Sequence, residues 1–480
     1  MFGAANVDYE VADRTRGFSA GGIGAIQELA KSTGLVDELD RSLHLLKVHL
    51  PYHESDHVLN IAYNILAGGR CLEDLELLRN DEVYMDALGA QRIPDPTTAG
   101  DFCRRFQDHD VEALMDAINE ARLRVWAQQP ASFFEEAIIE GDGTQVESAG
   151  ECKEGMDFNY KGRWGYHPLL ISLANTQEPL FLVNRSGNRP SQEGAAERFD
   201  QAIGLCRRAG FRGITLRGDT DFSQTEHLDR WDHDGVRFVF GFDARPNLVK
   251  MADQLPESAW ERLERRAKYE VATTPRERPA NVKDEVVARR EYKNIRLLSE
   301  DVASFDYSPT QCKKSYRMVV VRKNLSVERG ETVLFDDVRY FFYITNDESC
   351  GVSQAVFEAN ARCNQENLNA QLKSGAPALQ APVDSLTSNW AYMVMASLAW
   401  TLKAWFALLL PETGRWREKY AAEKQAVLRM EFRTFVNAMM RLPTQIVRQA
   451  RRTIYRLIGW NRWTEVFLRG WEQVRVPLRC

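Results

Sequence analysis

"FFEEAIIEGDGTQVES", residues 133–148, marks the point where the chain changes its grammar. An apolar run enters Gly141, Asp142 and Gly143, which reads as a strand ending near Asp142. Next, "YHPLLISLANTQEPLFLVN" (166–184) reads as two more strands joined by "NTQEP". The loop "RSGNRPSQEG" (185–194) leads into the helix "AAERFDQAIGLCRRAG" (195–210). A strand in "GITLRGDTDF" (213–222), a short helix around "QTEHLDRWDHDG" (224–235) and the strand "VRFVFGF" (236–242) follow. Three strands, helix, strand, helix, strand predicts an α/β core with a mixed sheet, breaking off at about Ala244.

On the N-terminal side, residues 20–128 carry apolar residues at spacings of three and four, as in "HVLNIAYNILAGG" (57–69) and "VEALMDAINEARLRVWAQQ" (111–129). "PDPTTAGDFCRRF" (94–106) predicts a helix start and a short helix ending in Arg104 and Arg105. These helices read equally as a small DNA-binding module or as a plain bundle. On the C-terminal side, charged stretches alternate with strand-like pieces such as "SYRMVVVRK" (315–323), "ETVLFDDV" (331–338) and "RYFFYITN" (339–346), a β-rich insertion. Residues 386–480 return to helix. Within them "WAYMVMASLAWTLKAWFALLLP" (390–411) is interrupted by Lys403 and dotted with aromatics, which predicts a buried helix, with a membrane span as the alternative.

At 480 residues, 44% apolar and 27% charged, the composition is that of a soluble protein with two to four domains. Eight cysteines without a C-x-x-C pair argue against a zinc finger or a disulfide scaffold and for a reducing cytoplasm. The opening residues show no basic segment followed by an apolar run, so no signal peptide is expected. The net charge of −6 hides an asymmetry. From Thr401 onward there are 16 Lys and Arg against 6 Glu, a local +10 that leaves −16 elsewhere. Such a tail reads as a phosphate-contacting surface or as a solvated helical region.

The segment "RCNQENLNAQLK" (362–373) supplies the chemistry. At 100° per residue, Glu366 lies about 40° from Arg362 and Lys373 about 20° from it, with Asn369 between them, so one helix face carries all three charges. Leu368 and Leu372 point elsewhere, toward a core. A solvated face is the simplest reading of that segment alone. Asp142 and Asp219, however, each stand where a strand runs out into glycine-containing backbone. Singly each reads as a turn former; jointly they stand where α/β sheets meet their ligands. Three clustered carboxylates repel one another unless a cation neutralises them, and hard oxygen ligands suit Mg²⁺ or Mn²⁺. Two such ions can activate a water or a sugar 3′-OH against a phosphodiester, with Arg362 and Lys373 as phosphate contacts.

"IEGDGT" (139–144), "LRGDTDF" (216–222) and "RCNQENLNAQLK", in that order, resemble the DDE transposases of bacterial insertion sequences. The resemblance covers roughly residues 90–400, with "TTAGDF" (97–102) and "SGNRPS" (186–191) as further points of likeness. It implies an RNase H-like mixed-sheet catalytic core interrupted by a β-rich insertion, with helical N- and C-terminal regions. The divisions are a helical DNA-binding region at 1–130, the first part of the core at 131–243, the insertion at 244–348, the final catalytic helix at 349–385 and a basic helical region at 386–480. Asp142, Asp219 and Glu366 would be the catalytic, metal-binding triad, holding two Mg²⁺ ions for which Mn²⁺ can substitute. Arg362 and Lys373 would contact DNA phosphate.

Two departures from the family pattern stand out. Ala359 occupies the place where the extended signature usually has Tyr, and "GDTD" offers Asp221 as a substitute for Asp219. The implied activity is cut-and-paste transposition by a bacterial, cytoplasmic homodimer that binds terminal inverted repeats and target DNA, with no membrane. Relatives flip a base onto an aromatic of the insertion. Trp260, Tyr340 and Phe342 are the candidates, and each also reads as a packing residue. The competing readings are a two-metal DNA nuclease on the same fold, which cuts without joining, and a domesticated, non-catalytic DNA-binding protein.

Overall fold

The fold is that of a computed structural model, which describes residues 16–49, 51–150, 152–159, 161–265, 286, 289–290, 293–329, 332–449, 452–459 and 461–478. Strands are numbered in chain order: β1 Arg16–Phe18, β2 Glu136–Gly143, β3 Val146–Glu147, β4 Asp157–Phe158, β5 Trp164–Tyr166, β6 Leu169–Leu173, β7 Glu178–Val183, β8 Gly213–Gly218, β9 Arg237–Phe242, β10 Glu261–Arg262, β11 Lys293–Tyr307, β12 Tyr316–Arg329, β13 Thr332–Thr345, β14 Thr444–Gln449 and β15 Arg452–Leu457.

The expected core is present in the expected order. Its strands lie side by side as β7-β6-β2-β8-β9; β2 runs antiparallel to β6 but parallel to β8, and β8 runs parallel to β9. This is the RNase H-like arrangement. Strands covered on both faces need continuous apolar runs, and Leu169, Leu170, Ile171 and Leu173 of β6 are all buried. The helix Ala195–Ala209 packs on one face and ends on Gly210, whose left-handed φ of 96° makes the C-terminal cap.

The insertion does not form a sheet of its own. β13 pairs antiparallel with β9, from Phe342 opposite Phe242 to Thr345 opposite Val239, so β10 to β13 extend the core into one nine-stranded sheet. "ETVLFDDV" and "RYFFYITN" are halves of the single strand β13.

At the other end, the helix Leu386–Leu408 is long and apolar enough to cross a membrane, but its most apolar window is entirely buried within the protein. It packs against the helices Glu54–Leu66, Asp108–Trp126 and Arg417–Leu428 and against β7. Lys403 is satisfied inside, donating to Leu428 O at 2.8 Å. The C-terminal region contains, besides its helices, the hairpin β14–β15, and β14 also pairs with β1. The two ends of the described chain are thereby stitched together.

Candidate functional site

Parallel neighbours bring their carboxyl ends to the same edge of a sheet, and this places the two aspartates side by side. Asp142 is the next-to-last residue of β2, and Asp219 directly follows β8. Alternation along β2 decides which way each side chain points. A side chain at Gly141 would face the helix Ala195–Ala209, and a Cβ there would stand 2.7 Å from the Phe199 ring. Glu140 and Asp142 face the opposite way. Glu140 meets Arg217, its partner in register on β8, with Nε to Oε1 at 2.7 Å, and Arg217 also donates to Glu358 O. The buried acid below the aspartates thus has its own cation, and that cation is occupied.

The segment 362–373 is not one continuous helix. A helix Val352–Asn360 ends, Arg362 caps a second helix Cys363–Ala370, and a π-turn occupies Gln371–Gly375, where Ala376 N bonds Gln371 O at 2.7 Å. Such widened turns recur at functional sites. Leu368 and Leu372 are buried, as their phase predicts. Gln365 docks the helix on β6: Ser172 Oγ donates to its Oε1, and its Nε2 donates to Leu170 O at 3.4 Å.

This seating brings Glu366 and Arg362 to the aspartates. Arg362 lies between two acids, 3.7 Å from Asp219 and 3.6 Å from Glu366. Burial, then the Asp219 charge, push the Asp142 carboxyl up to about 7; Glu366 adds to the rise, and Arg362 opposes it. Asp219 is raised too, by burial and then by Asp221. Lys373 is lowered by burial, with Asp142 as the largest charge opposing that. Asn369 donates to Asp142 Oδ2 at 2.7 Å. The five residues singled out from the sequence therefore interact electrostatically as one group. Among the described residues, no three His, Cys, Asp or Glu side chains stand close enough to share a metal ion in this arrangement. The donor set nevertheless suits a hard divalent cation: three carboxylates from three elements, with their mutual repulsion only partly relieved by Arg362.

Asp221 does not share a strand face with Asp219. The strand stops at Gly218, and Asp219 caps a short 3₁₀ turn by accepting from the Asp221 backbone N–H at 3.0 Å. Asp221 is exposed, whereas Asp219 faces Arg362.

Beside Asp219 opens a cavity of about 490 Å³, walled by Arg362, Asn360, Lys323 and the insertion aromatics Tyr340, Phe342 and Tyr343. Trp260 packs near Tyr340 with Arg322 over its ring at 4.2 Å, and Tyr340 donates to Asp253. Ala359 is buried, but a phenol does stand nearby: Tyr343 donates to Asn360 at 3.3 Å in the wall of the same cavity. Sequence reasoning missed Tyr343 because its register on β13 is set by the distant strand β9. Arg104 and Arg105 are engaged locally, Arg104 with Asp101 and Asp384 at 2.9 Å each and Arg105 with Leu45 O.

The sheet is RNase H-like, with two acids at the ends of its parallel strands β2 and β8 and a third acid on the helix Cys363–Ala370 beyond the insertion. The chain belongs to the family described as transposase DDE domain group 1, which matches residues 13–476, a wider span than the motifs alone suggested. No curated protein matches. Among solved structures, the chain is similar to a cryo-EM structure of a piggyBac transposase synaptic complex with hairpin DNA. There the identity is 10% and the TM-score 0.36, over 87% of this chain and 81% of that one.

Proposed function

We propose that this chain is the transposase of a bacterial insertion sequence, which binds the terminal inverted repeats of its element and catalyses metal-dependent DNA cleavage and strand transfer. The observation that carries the reading is that Asp142 and Asp219 stand at the neighbouring ends of β2 and β8, with Arg362 between Asp219 and Glu366 and the charges of all four acting on one another. Asp142, Asp219 and Glu366 would hold two Mg²⁺ ions, or Mn²⁺ in their place. When bound, these supply Lewis acidity and a lowered pKa for water.

The protein's own part is positioning and charge. Water attacks the phosphorus at the element's end, breaking a P–O bond and freeing a 3′-OH. That hydroxyl then attacks a second phosphodiester, expelling its 3′ oxygen. Arg362 is paired with Asp219 and Glu366, and its planar fork would contact phosphate once those carboxylates were otherwise engaged. Lys373 adds a point charge next to Asp142. Because one site serves successive strands, the surfaces that hold DNA matter as much as the acids. We assign end recognition to residues 1–130, joined through β1 and β14 to the basic region 386–480, and final steps to a homodimer that pairs two ends in the bacterial cytoplasm. The aromatic cavity beside Asp219 is suited to receive an unstacked base, with Tyr340 on its wall.

The test is a cleavage and strand-transfer assay on DNA carrying the flanking ends of the gene, with Mg²⁺, comparing the native protein with Glu366→Gln. Cutting and joining by the native protein, with binding alone by the variant, supports the reading. Cutting without joining favours a nuclease, and equal binding with no cutting by either favours a DNA-binding protein.

A further inference from the structure

We infer that Asn369 is a positioning residue of the carboxylate site, its amide nitrogen holding one oxygen of Asp142 and its amide oxygen accepting from a water in the site. The inference rests on the metal-site reading above. Two amides on the same helix make the case by contrast. Gln365 uses both ends, its oxygen accepting from Ser172 and its nitrogen donating to Leu170 O, and so serves to dock the helix. Asn369, one turn on and only 6% exposed, uses one end. Its Nδ2 donates to Asp142 Oδ2 at 2.7 Å, while its Oδ1 is buried with no partner among the described residues.

That orientation is required once Asp142 is ionised, because a carboxylate only accepts. The donor end must face the acid, and the acceptor end is left over. A buried acceptor without a partner costs stability. Leu368 and Leu372 face the core, whereas Asn369 stands on the face that carries Arg362, Glu366 and Lys373. An amide kept there at such a cost points to something the orphan oxygen meets, and a site built for hydrated cations supplies water.

Charge argues the same way. Lysine or arginine at 369 would neutralise the acids and compete with a cation, while aspartate would add a fourth like charge. A neutral donor fixes the Asp142 rotamer without either effect. With Oδ2 held by the amide, Asp142 Oδ1 would be the oxygen left to meet a cation. Removing outer partners of metal ligands commonly costs 10–100-fold in affinity or activity.

The experiment measures Mn²⁺ binding to the full chain by the EPR signal of free Mn²⁺, for the native protein, Asn369→Leu, Asn369→Asp and Asp142→Asn, beside thermal unfolding of each without metal. The inference expects Asn369→Leu to be as stable as the native protein or more so, yet to bind Mn²⁺ about 10–100-fold more weakly. Its cleavage of element ends is expected to recover as Mn²⁺ is raised, with metal-free DNA binding unchanged. Asn369→Asp, of the same size but without the donor, is expected to fail to restore native behaviour at native metal levels. Unchanged Mn²⁺ affinity in Asn369→Leu, with binding lost in Asp142→Asn, overturns this inference alone. Absence of Mn²⁺ binding by the native protein overturns the metal-site reading and this inference with it.

Discussion

Two acids at different places in the same sheet show what sets a site apart from a core. Glu178 opens β7 and is fully buried, and it is matched: Arg122 Nε at 3.0 Å, Trp126 Nε1 at 3.0 Å and Trp405 Nε1 at 2.8 Å all donate to it. Its donors come from the N-terminal helix Asp108–Trp126 and the C-terminal helix Leu386–Leu408, so the ion pair joins both regions to the core. Asp142, on a neighbouring part of the sheet, is half-buried and faces two more acids, one amide and the Arg362 guanidinium that it shares with them. One carboxylate has its counter-charge inside the fold. The other shares one guanidinium with two further acids and stays short of counter-charge.

Breaking the matched partner has the largest expected effect. Arg122→Met leaves Glu178 charged and uncompensated, and urea unfolding is expected to show a loss of about 3–5 kcal/mol. A loss under about 1 kcal/mol would mean the two tryptophans satisfy Glu178 alone.

The unmatched acid responds with the opposite sign. Burial and the Asp219 charge hold Asp142 at about 7, above its ordinary 3.8. Between those values the folded chain keeps a proton that the unfolded chain has released, so stability falls as pH rises through the interval, and the deficit is complete above it. At 1.36 kcal/mol per pH unit the ceiling is about 4 kcal/mol. Asp142→Asn is therefore expected to unfold at higher urea than the native protein at pH 8 and to converge with it in acid, while losing cleavage. Equal midpoints at both pH values would show that the acids do not strain the fold.

Gly141→Ala probes the other face of the strand that carries Asp142. Its Cβ would lie 2.7 Å from Phe199 and 3.0 Å from Phe222. Such overpacking is expected to cost about 1–3 kcal/mol, read from thermal unfolding. The smallest change belongs to the exposed pair Arg163–Glu147, at 2.6 Å with both side chains more than half exposed. Arg163→Ala is expected to shift stability by less than about 1 kcal/mol. A larger loss would mean that surface charge near the site is as structural as the buried pair.

The order of the core was legible because each core strand, β2, β6, β7, β8 and β9, is an apolar run closed by turn residues, and each helix between carries its own period; the two- and three-residue strands β3 to β5 are too short to show a pattern. Asp142 and Asp219 were legible as acids at strand ends. Pairing partners were not: nothing local in "RYFFYITN" reveals that Phe342 will lie opposite Phe242, so the insertion read as a unit apart. The hairpin β14–β15 was missed inside a basic stretch that also suits helix, since its pairing with β1 spans most of the chain. The break at Arg362 and the π-turn under Lys373 leave no periodic signal, because the hydrogen-bond shift changes the backbone and not the residue pattern. Asn369 was visible as a member of the charged face, but its bond to Asp142 is a tertiary fact.

The central claim is that Asp142, Asp219 and Glu366 are one cation site now countered by Arg362. Anomalous scattering from crystals grown with Mn²⁺ at pH 8 tests it most directly. The account predicts Mn²⁺ bound between Asp142 and Asp219 at oxygen-ligand distances, Glu366 turned toward it, and Arg362 withdrawn from both acids. Arg362 still lying between Asp219 and Glu366, with Mn²⁺ elsewhere or nowhere, would contradict it.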